Sequence, residues 1–188
     1  MEPCTGLPPF IRFASERDAP SLLSIYTPYV EQTVITFETC VPTVAEFKRR
    51  VRDIGSVYPY LVYEREGVAA AYAYAAPVRS RAAYQWTAEL SVYVREDAHR
   101  MGIGRMLYAA LLSLLARQNI KIVYAVITTP NAQSECFHES IGFDRVCVFP
   151  KCGYKHGAWR DVLWMQKIIG EFDDEPELLR PIGEVITL

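Results

Sequence analysis

The sequence predicts a single α/β (α+β) domain in which helices flank a mixed, mostly antiparallel β-sheet. Its 188 residues are 51% hydrophobic and 22% charged, a composition that can bury one sizeable core. β-Rich runs separated by short turns indicate hairpins, and a strand–helix–strand unit spans 86–127. We expect a flexible N-terminus over 1–9, the domain over 10–170, and an acidic tail over 171–188 that lies over the surface or packs against a partner subunit.

The first half of the chain is predicted to form one strand, two helices and a hairpin. Each helix begins with a capping-box pattern, because Ser15 precedes Asp18, and Thr43 precedes Glu46, by three residues. Gly67 provides a turn between two β-rich runs, as in a hairpin. The predicted elements are a strand over 11–14, helices over 15–31 and 43–54, and strands over 60–64 and 68–76.

The second half is predicted to continue the sheet around two further helices. Along the strand over 86–94, Glu89 faces away from Ala88 and Leu90, so one face of the sheet carries a carboxylate. Leu107 and Leu111 lie at helical spacing on the helix that follows. The predicted elements are a strand over 86–94, a helix over 104–118, a strand over 122–127, a helix over 130–140, and strands over 143–149 and 159–167. The order is therefore β-α-α-β-β-β-α-β-α-β-β.

The overall composition argues against several classes of partner and site. A net charge of −2 provides no basic field for nucleic acid or for a membrane surface. The first ten residues lack the pattern of a signal peptide, and no apolar run is long enough to span a bilayer, so we expect a cytoplasmic protein. No C-x-x-C pair is present, which argues against a disulfide framework or a zinc ribbon. The five cysteines are Cys4, Cys40, Cys136, Cys147 and Cys152.

A glycine-rich turn follows the strand over 86–94 and precedes the long helix. Backbone N–H groups at such a helix start, together with the helix dipole, can bind a pyrophosphate, and glycine lets the phosphates approach closely. The alternative is a plain tight turn between strand and helix. A Rossmann site would need a third glycine where Leu107 stands, and a Walker loop would need Gly-Lys-Ser/Thr, so both are excluded.

This turn, Arg100-Met101-Gly102-Ile103-Gly104-Arg105, resembles the coenzyme A pyrophosphate loop of the GNAT superfamily of N-acetyltransferases. His99 stands where that loop usually has Gln or Arg. The segment Asn131-Ala132-Gln133-Ser134 with Ile141-Gly142-Phe143 resembles a second GNAT motif, whose Asn contacts the coenzyme. His138 occupies the place of a Tyr that commonly protonates the departing thiolate.

A denser similarity, over about residues 10–168, is to the phosphinothricin N-acetyltransferases, and it includes Tyr154-Lys155-His156-Gly157-Ala158-Trp159-Arg160-Asp161-Val162. The resemblance implies a GNAT fold with a sheet splayed near its middle, acetyl-CoA as co-substrate, a homodimer, and Glu89 and His138 as catalytic residues. It implies that the coenzyme is bound by Val92, Tyr93, Val94, Arg100, Met101, Gly102, Ile103, Gly104, Arg105, Asn131 and Ser134.

Amine chemistry explains why a carboxylate and an imidazole suit this reaction. An amine attacks a thioester only as the neutral base, so a protein at neutral pH must remove a proton from an ammonium group. Glu89 is a candidate base acting through a water, although a strand Glu is also commonly a solvated or salt-bridged residue. His138, with an ordinary pKa, could protonate the thiolate or shuttle the substrate proton, or could be a surface histidine. The sequence leaves the choice between base and acid open.

Four residues are candidates for binding the small amino-acid-like substrate. Arg79 and Arg81 could pair with its carboxylate and its phosphinate- or sulfone-like end, or could form a solvated basic turn. Phe37 and Tyr84 could wall the pocket, and Phe37 could equally be core. Cys136 and His138 point about 200° apart on a helix, so they do not form a nucleophilic pair, and Cys136 is expected to be buried. Cys152 with His156 provides too few ligands for a site, and no metal is expected.

The favoured function is direct transfer of acetyl from acetyl-CoA to the α-amino group of a substrate such as phosphinothricin, methionine sulfone or methionine sulfoximine. Two alternatives remain at this point. One is an acetyltransferase for another amine, such as a polyamine or a protein N-terminus, although Arg79 and Arg81 argue against a cationic substrate. The other is a non-catalytic acyl-CoA sensor, which would not need Glu89 and His138.

Overall fold

The computed structural model describes residues 7–186, and within them it contains a seven-stranded sheet and five α-helices. The strands are β1 (Ile11–Phe13), β2 (Tyr60–Arg65), β3 (Val68–Pro77), β4 (Thr87–Val94), β5 (Ile122–Thr129), β6 (Asp144–Lys155) and β7 (Ala158–Ile168). The helices are α1 (Ala19–Gln32), α2 (Val44–Gly55), α3 (Ile103–Arg117), α4 (Ala132–Ser140) and α5 (Ile182–Ile186). The predicted order of elements is confirmed, with α5 as an addition. The predicted flexible N-terminus over 1–9 lies mostly outside the described residues.

The helix starts follow the local sequence signals. At α2, the Thr43 side chain accepts a hydrogen bond from the Glu46 amide, and the Glu46 carboxylate accepts one from the Thr43 amide. Ser15 and Asp18 form the equivalent pair, but the first turn there is a 3₁₀ helix over Glu16–Asp18 that leads into α1. The strand β6 is longer than predicted, because it continues through a bulge between Phe149 and Gly153.

The sheet has the order β1-β2-β3-β4-β5-β7-β6, and β4 and β5 are its parallel neighbours. Those two strands pair over three positions, the last of which joins Glu89 to Tyr124. Beyond it, β4 continues to Val94 paired with β3, and β5 continues to Thr129 paired with β7. A gap therefore opens in the sheet after Glu89. This confirms the predicted mixed, mostly antiparallel, splayed sheet.

Two apolar layers hold the sheet from opposite faces. On one face, α3 buries Leu107 and Leu111 against strand residues such as Val123 and Met165. On the other face, α1 and α2 pack over a cluster rich in tyrosine that includes Tyr72. No helix within residues 7–186 has the length and apolar character that crossing a membrane requires.

The end of the acidic segment packs against the chain's own domain. Ile182 and Val185 on α5 are 4% and 2% exposed. The Ile182 amide donates to the Val57 carbonyl, and Gln118 Nε2 donates to the Arg180 carbonyl at 2.7 Å. The expected tail was an acidic segment lying over the surface or against a partner subunit. The observed packing differs because α5, which follows the acidic stretch, has apolar side chains that pack on the domain.

Candidate active site

Two cavities meet in the gap between β4 and β5. The first, of about 410 Å³, lies over the glycine-rich turn and is called the loop cavity here. The second, of about 350 Å³, contains Glu89 and is called the Glu89 cavity. Residues that line both cavities, and therefore mark the junction, are Ile35, Val92, Asn131, Ser134 and His138.

The loop cavity is built on the start of α3. Gly102, Ile103, Gly104 and Arg105 line it, and no side chain caps this helix start. The first backbone hydrogen bond of the helix runs from the Met106 amide to the Gly102 carbonyl, so the preceding N–H groups have no acceptor within the helix. Gly102 has a φ of 77°, a left-handed conformation that glycine adopts without strain. The turn therefore presents several amides toward an anion.

Arg100 lines the loop cavity. Met101 does not, because the Met101 side chain is 49% exposed and contacts Arg65. The Arg105 guanidinium donates to the Ser140 hydroxyl at 2.8 Å, which ties α3 to the end of α4.

The backbone of β4 supplies further polar groups to the gap. The Arg95 amide bonds to the Ala70 carbonyl, and Val94 lies opposite Ala71. In an antiparallel ladder this pattern turns the N–H and C=O groups of Val92 and Val94 away from β3 and toward the gap. Both groups of Val94 are satisfied by the Tyr29 hydroxyl. The polar groups of Val92 therefore remain directed at the junction of the two cavities.

Tyr93 lies between these residues on β4, and its side chain projects from the opposite face. Its ring packs edge-on against Tyr26 and Tyr29, with centroids 4.8 and 5.2 Å apart, and it lines the Glu89 cavity.

His99, which departs from the GNAT loop pattern, places Nε2 2.9 Å from the Val94 carbonyl. His99 thus belongs to the wall of the loop cavity.

The start of α4 is held rigidly at the junction. Asn131 is its N-cap, and the Asn131 Oδ1 accepts a hydrogen bond from the Ser134 amide at 3.1 Å. The Asn131 amide donates to Glu135 Oε1 at 2.8 Å, and Arg145 pairs with the same carboxylate. Asn131 and Ser134 therefore face both cavities from a fixed turn.

Glu89 is half-buried within its cavity. Burial raises the pKa of its carboxyl above the ordinary value, and the positive charge of Arg79 acts in the opposite direction. A carboxylate whose pKa is raised toward neutrality accepts a proton more readily than an exposed one. The position of Glu89 thus suits a general base.

His138 is 4% exposed and lies between α4, α3 and the junction of the cavities. Its Nδ1 is 2.7 Å from the Ser134 carbonyl, and its Nε2 is 3.2 Å from the Tyr108 hydroxyl. Burial lowers the pKa of His138 below its ordinary value, despite the hydrogen bond to Ser134. The expectation of an ordinary pKa is therefore wrong.

Comparison with known proteins is consistent with this geometry. Residues 11–164 match the model of the acetyltransferase (GNAT) domain. The chain belongs to the GNAT acetyltransferase family. It is 37% identical to a phosphinothricin N-acetyltransferase of Streptomyces viridochromogenes, over 93% of this chain and 95% of the relative. It is 33% identical to an L-methionine sulfoximine/L-methionine sulfone acetyltransferase of Salmonella typhimurium, over 86% of this chain and 95% of the relative.

A solved structure shows the same GNAT architecture. The phosphinothricin acetyltransferase of Sinorhizobium meliloti, crystallised with acetyl-CoA, has a TM-score of 0.85 and 34% identity, over 89% of this chain and 92% of the other. The described chain therefore has the overall architecture of a GNAT acetyltransferase.

Of the four residues predicted to bind substrate, the structure places one in a cavity wall and three outside both cavities. Phe37 lines the Glu89 cavity, and its ring packs over Gly153, where a β-carbon would lie 2.0 Å from it. Arg79 lies outside the cavity walls, with its guanidinium 5.8 Å from the centre of the Trp164 ring. Arg81 and Tyr84 are exposed and line neither cavity.

The loop between α1 and α2 forms one wall of the Glu89 cavity, and Glu38 in that wall is a residue that sequence reasoning missed. Thr36 and Glu38 in that loop line the Glu89 cavity, and the Tyr26 hydroxyl lies 2.7 Å from Thr36 Oγ1. Lys155, at the tip of the β6–β7 hairpin, is 4% exposed and donates to the Thr36 carbonyl at 2.8 Å. The glycines around Lys155 indicated a hairpin tip, but spacing alone does not show which loop that tip contacts.

The four cysteines that the structure describes are all exposed. Cys136 is exposed, so its predicted burial is wrong, and it lies on the outer side of α4. Among residues 7–186, no cysteine lines the loop cavity or the Glu89 cavity. In the same part of the chain, no group of three or more His, Cys, Asp or Glu side chains is arranged to bind a metal ion.

Proposed function

We propose that this chain transfers the acetyl group of acetyl-CoA to the α-amino group of a small amino-acid-like substrate. The main support is that the cavity containing the half-buried Glu89 carboxylate opens, beside Val92 and His138, onto the cavity lined by the unpaired amides at the start of α3. The first cavity fits an amine, and the second fits the pyrophosphate end of the coenzyme. The thioester would then lie at the junction.

The loop cavity contains groups suited to hold acetyl-CoA. The amides at the start of α3 match the charge of its pyrophosphate, and Gly102 leaves room for close approach. The free polar groups of Val92 are suited to bind the extended arm and to stabilise the oxyanion of the tetrahedral intermediate. We assign the same role of coenzyme contact to Asn131 and Ser134 at the junction.

The Glu89 cavity supplies the acid–base chemistry. In the proposed reaction Glu89 takes a proton from the ammonium group, through a water, and the neutral amine attacks the thioester carbonyl. The tetrahedral intermediate then gives up a second proton from its nitrogen, its C–S bond breaks, and coenzyme A leaves as a thiolate that takes up a proton. His138 is the second catalytic residue. Transfer is direct, within a ternary complex, because the amine cavity opens on the position of the thioester.

We propose substrates of the phosphinothricin, methionine sulfone and methionine sulfoximine type. The support is the specificity in the names of two relatives, each similar to this chain over more than four fifths of its length. Arg79 contributes positive charge near Glu89, and Arg79 and Arg81 remain our candidates for the acidic end of the substrate.

The experiment is a thiol-release assay with acetyl-CoA and a panel of amines. L-phosphinothricin, methionine sulfone and methionine sulfoximine should release coenzyme A, whereas spermidine and a peptide with a free N-terminus should release little. Glu89→Gln should bind acetyl-CoA with unchanged affinity in calorimetry while losing turnover. Tight coenzyme binding by the wild-type chain with no thiol release for any amine would instead indicate a sensor.

We further propose a cytoplasmic homodimer. The edge strand β6 and its hairpin expose Val148 and Phe149, each 49% accessible, and Trp159, 62% accessible. Exposed apolar edge strands favour pairing or cover by a partner. The exposed free thiols, including those of Cys147 and Cys152, are suited to a reducing compartment. Sedimentation equilibrium should give twice the 21.4 kDa chain mass, and Phe149→Lys should shift the protein toward monomer.

A further inference from the structure

The hydrogen bonds of His138 specify where its ring carries a proton. A carbonyl oxygen can only accept a hydrogen bond, so the 2.7 Å contact between Nδ1 and the Ser134 carbonyl requires a hydrogen on Nδ1. Ser134 Oγ lies 3.4 Å from the same nitrogen and adds a weaker contact. In a neutral imidazole, Nε2 then has a lone pair, and the Tyr108 hydroxyl 3.2 Å away donates to it.

The surroundings of the ring favour the neutral form. Phe137 and Phe143 pack edge-on against His138, with ring centroids 5.1 and 5.2 Å away. From α3 the facing titratable group is Tyr108, and from β4 it is Glu89, which lines the same cavity. Burial and the negative charge of Glu89 both raise the pKa of Tyr108, so its hydroxyl keeps its proton and remains a donor.

We propose that Tyr108 is a positioning residue that holds His138 as a neutral imidazole protonated on Nδ1. This inference rests on the proposed function, and it assigns His138 a narrower role in that reaction. The resting ring has its lone pair at Nε2, where it accepts the Tyr108 hydrogen bond, and has no proton there to give. His138 therefore enters the reaction as a proton acceptor, and it is not the resting acid for the departing thiolate.

The Tyr108→Phe substitution isolates this hydrogen bond. The Tyr108 ring is fully buried and packs on Phe137, Phe143 and His138, with centroids 5.5, 6.3 and 5.5 Å away. Phenylalanine preserves those ring contacts and removes only the donor. Because a donor to Nε2 stabilises the neutral imidazole, its loss should raise the pKa of His138.

The test is nitrogen-15 NMR of the ring nitrogens, measured without substrates. The chain has three histidines, so His138→Gln assigns the relevant pair of signals. The wild-type protein should show His138 protonated on Nδ1 and hydrogen-bonded but unprotonated on Nε2. In Tyr108→Phe, the midpoint of the His138 titration should rise by about one pH unit, the equivalent of one hydrogen bond. Because Glu89 and His138 must both be deprotonated to accept protons, the acid side of the kcat/KM profile should have two limbs, and the His138 limb should move upward by a similar amount.

A matched control is Tyr29→Phe, since the Tyr29 hydroxyl lies 3.2 Å from Nε2 of another histidine, His99. It should leave the titration of His138 unchanged. A wild-type His138 protonated on Nε2 would overturn the proposal, and this measurement needs no variant. A Tyr108→Phe protein with the wild-type titration and pH profile would also overturn it. If no amine were acetylated, the proposed function would fail, whereas the NMR would still decide the tautomer.

Discussion

The packing of α5 leads to a prediction about stability. Ile182 is 4% exposed, and its side chain belongs to the main core cluster. Replacing a buried Ile with Ala costs about 2–5 kcal/mol, and a short terminal helix can relax, so we expect the lower part of that range, about 2–3 kcal/mol. For a chain of this size each kcal/mol lowers Tm by about 2–4 °C, which gives a decrease of about 4–12 °C.

Thermal unfolding followed by circular dichroism measures this change directly. Leu178→Ala is the matched control, because Leu178 lies on the same segment and is 68% exposed. Its Tm should stay close to that of the wild-type chain, since exposed substitutions change stability by at most about 0.5 kcal/mol. Equal Tm values for Ile182→Ala and Leu178→Ala would refute the conclusion that the C-terminal segment is part of the folded domain.

Three further predictions concern the site. Glu89→Gln should lower kcat/KM by about 100-fold or more near neutral pH. In the wild-type chain, kcat/KM should fall as the pH drops through the raised pKa of Glu89, and the substitution should remove this acid limb. An unchanged pH profile would exclude Glu89 as the base. Gly102→Ala should weaken acetyl-CoA binding about tenfold in calorimetry. Alanine at φ 77° costs about 1–2 kcal/mol, so the free turn should relax to another conformation, and binding must then restore the strained one. Gly67→Ala, at φ 76° in the β2–β3 turn, should leave binding intact. Lys155→Met removes the donor to the α1–α2 loop and should raise KM for the amine about fivefold, with KM for acetyl-CoA unchanged. Substitution of the exposed Lys151 by Met should change neither KM. Equal amine KM values in the two variants would contradict the role of Lys155.

The sequence predicted well the features that depend on neighbouring residues. The capping pairs at Ser15 and Thr43 and the helical spacing around Leu107 place the helix starts and the buried helix to within a few residues. The glycine-rich turn is a local feature as well, because its conformation depends on Gly102 and on the first turn of α3. The predicted projection of Glu89 from one face of the sheet also follows from local alternation along β4, and the structure shows that this side chain lines a cavity.

The features that the sequence did not predict depend on contacts between distant segments. Lys155 reaches Thr36 across 119 residues, and no local pattern encodes that approach. Arg81 and Tyr84 lie in an exposed connection whose path over the surface depends on tertiary packing. Tyr108 did carry a signal, since a tyrosine next to Leu107 on the buried side of α3 needs a partner for its hydroxyl. That signal does not identify His138 as the partner.

The hydrogen bond between Trp86 and the C-terminal segment gives the chain a natural optical reporter. The Trp86 indole Nε1 donates to the Glu177 carbonyl at 2.8 Å, just before β4 begins. Indole emission depends on the hydration of the ring, so detachment of the segment would change the fluorescence of Trp86 without any attached dye. With Trp159 and Trp164 replaced by phenylalanine, the remaining emission would follow docking of this segment in real time, separately from events in the cleft at the other end of β4.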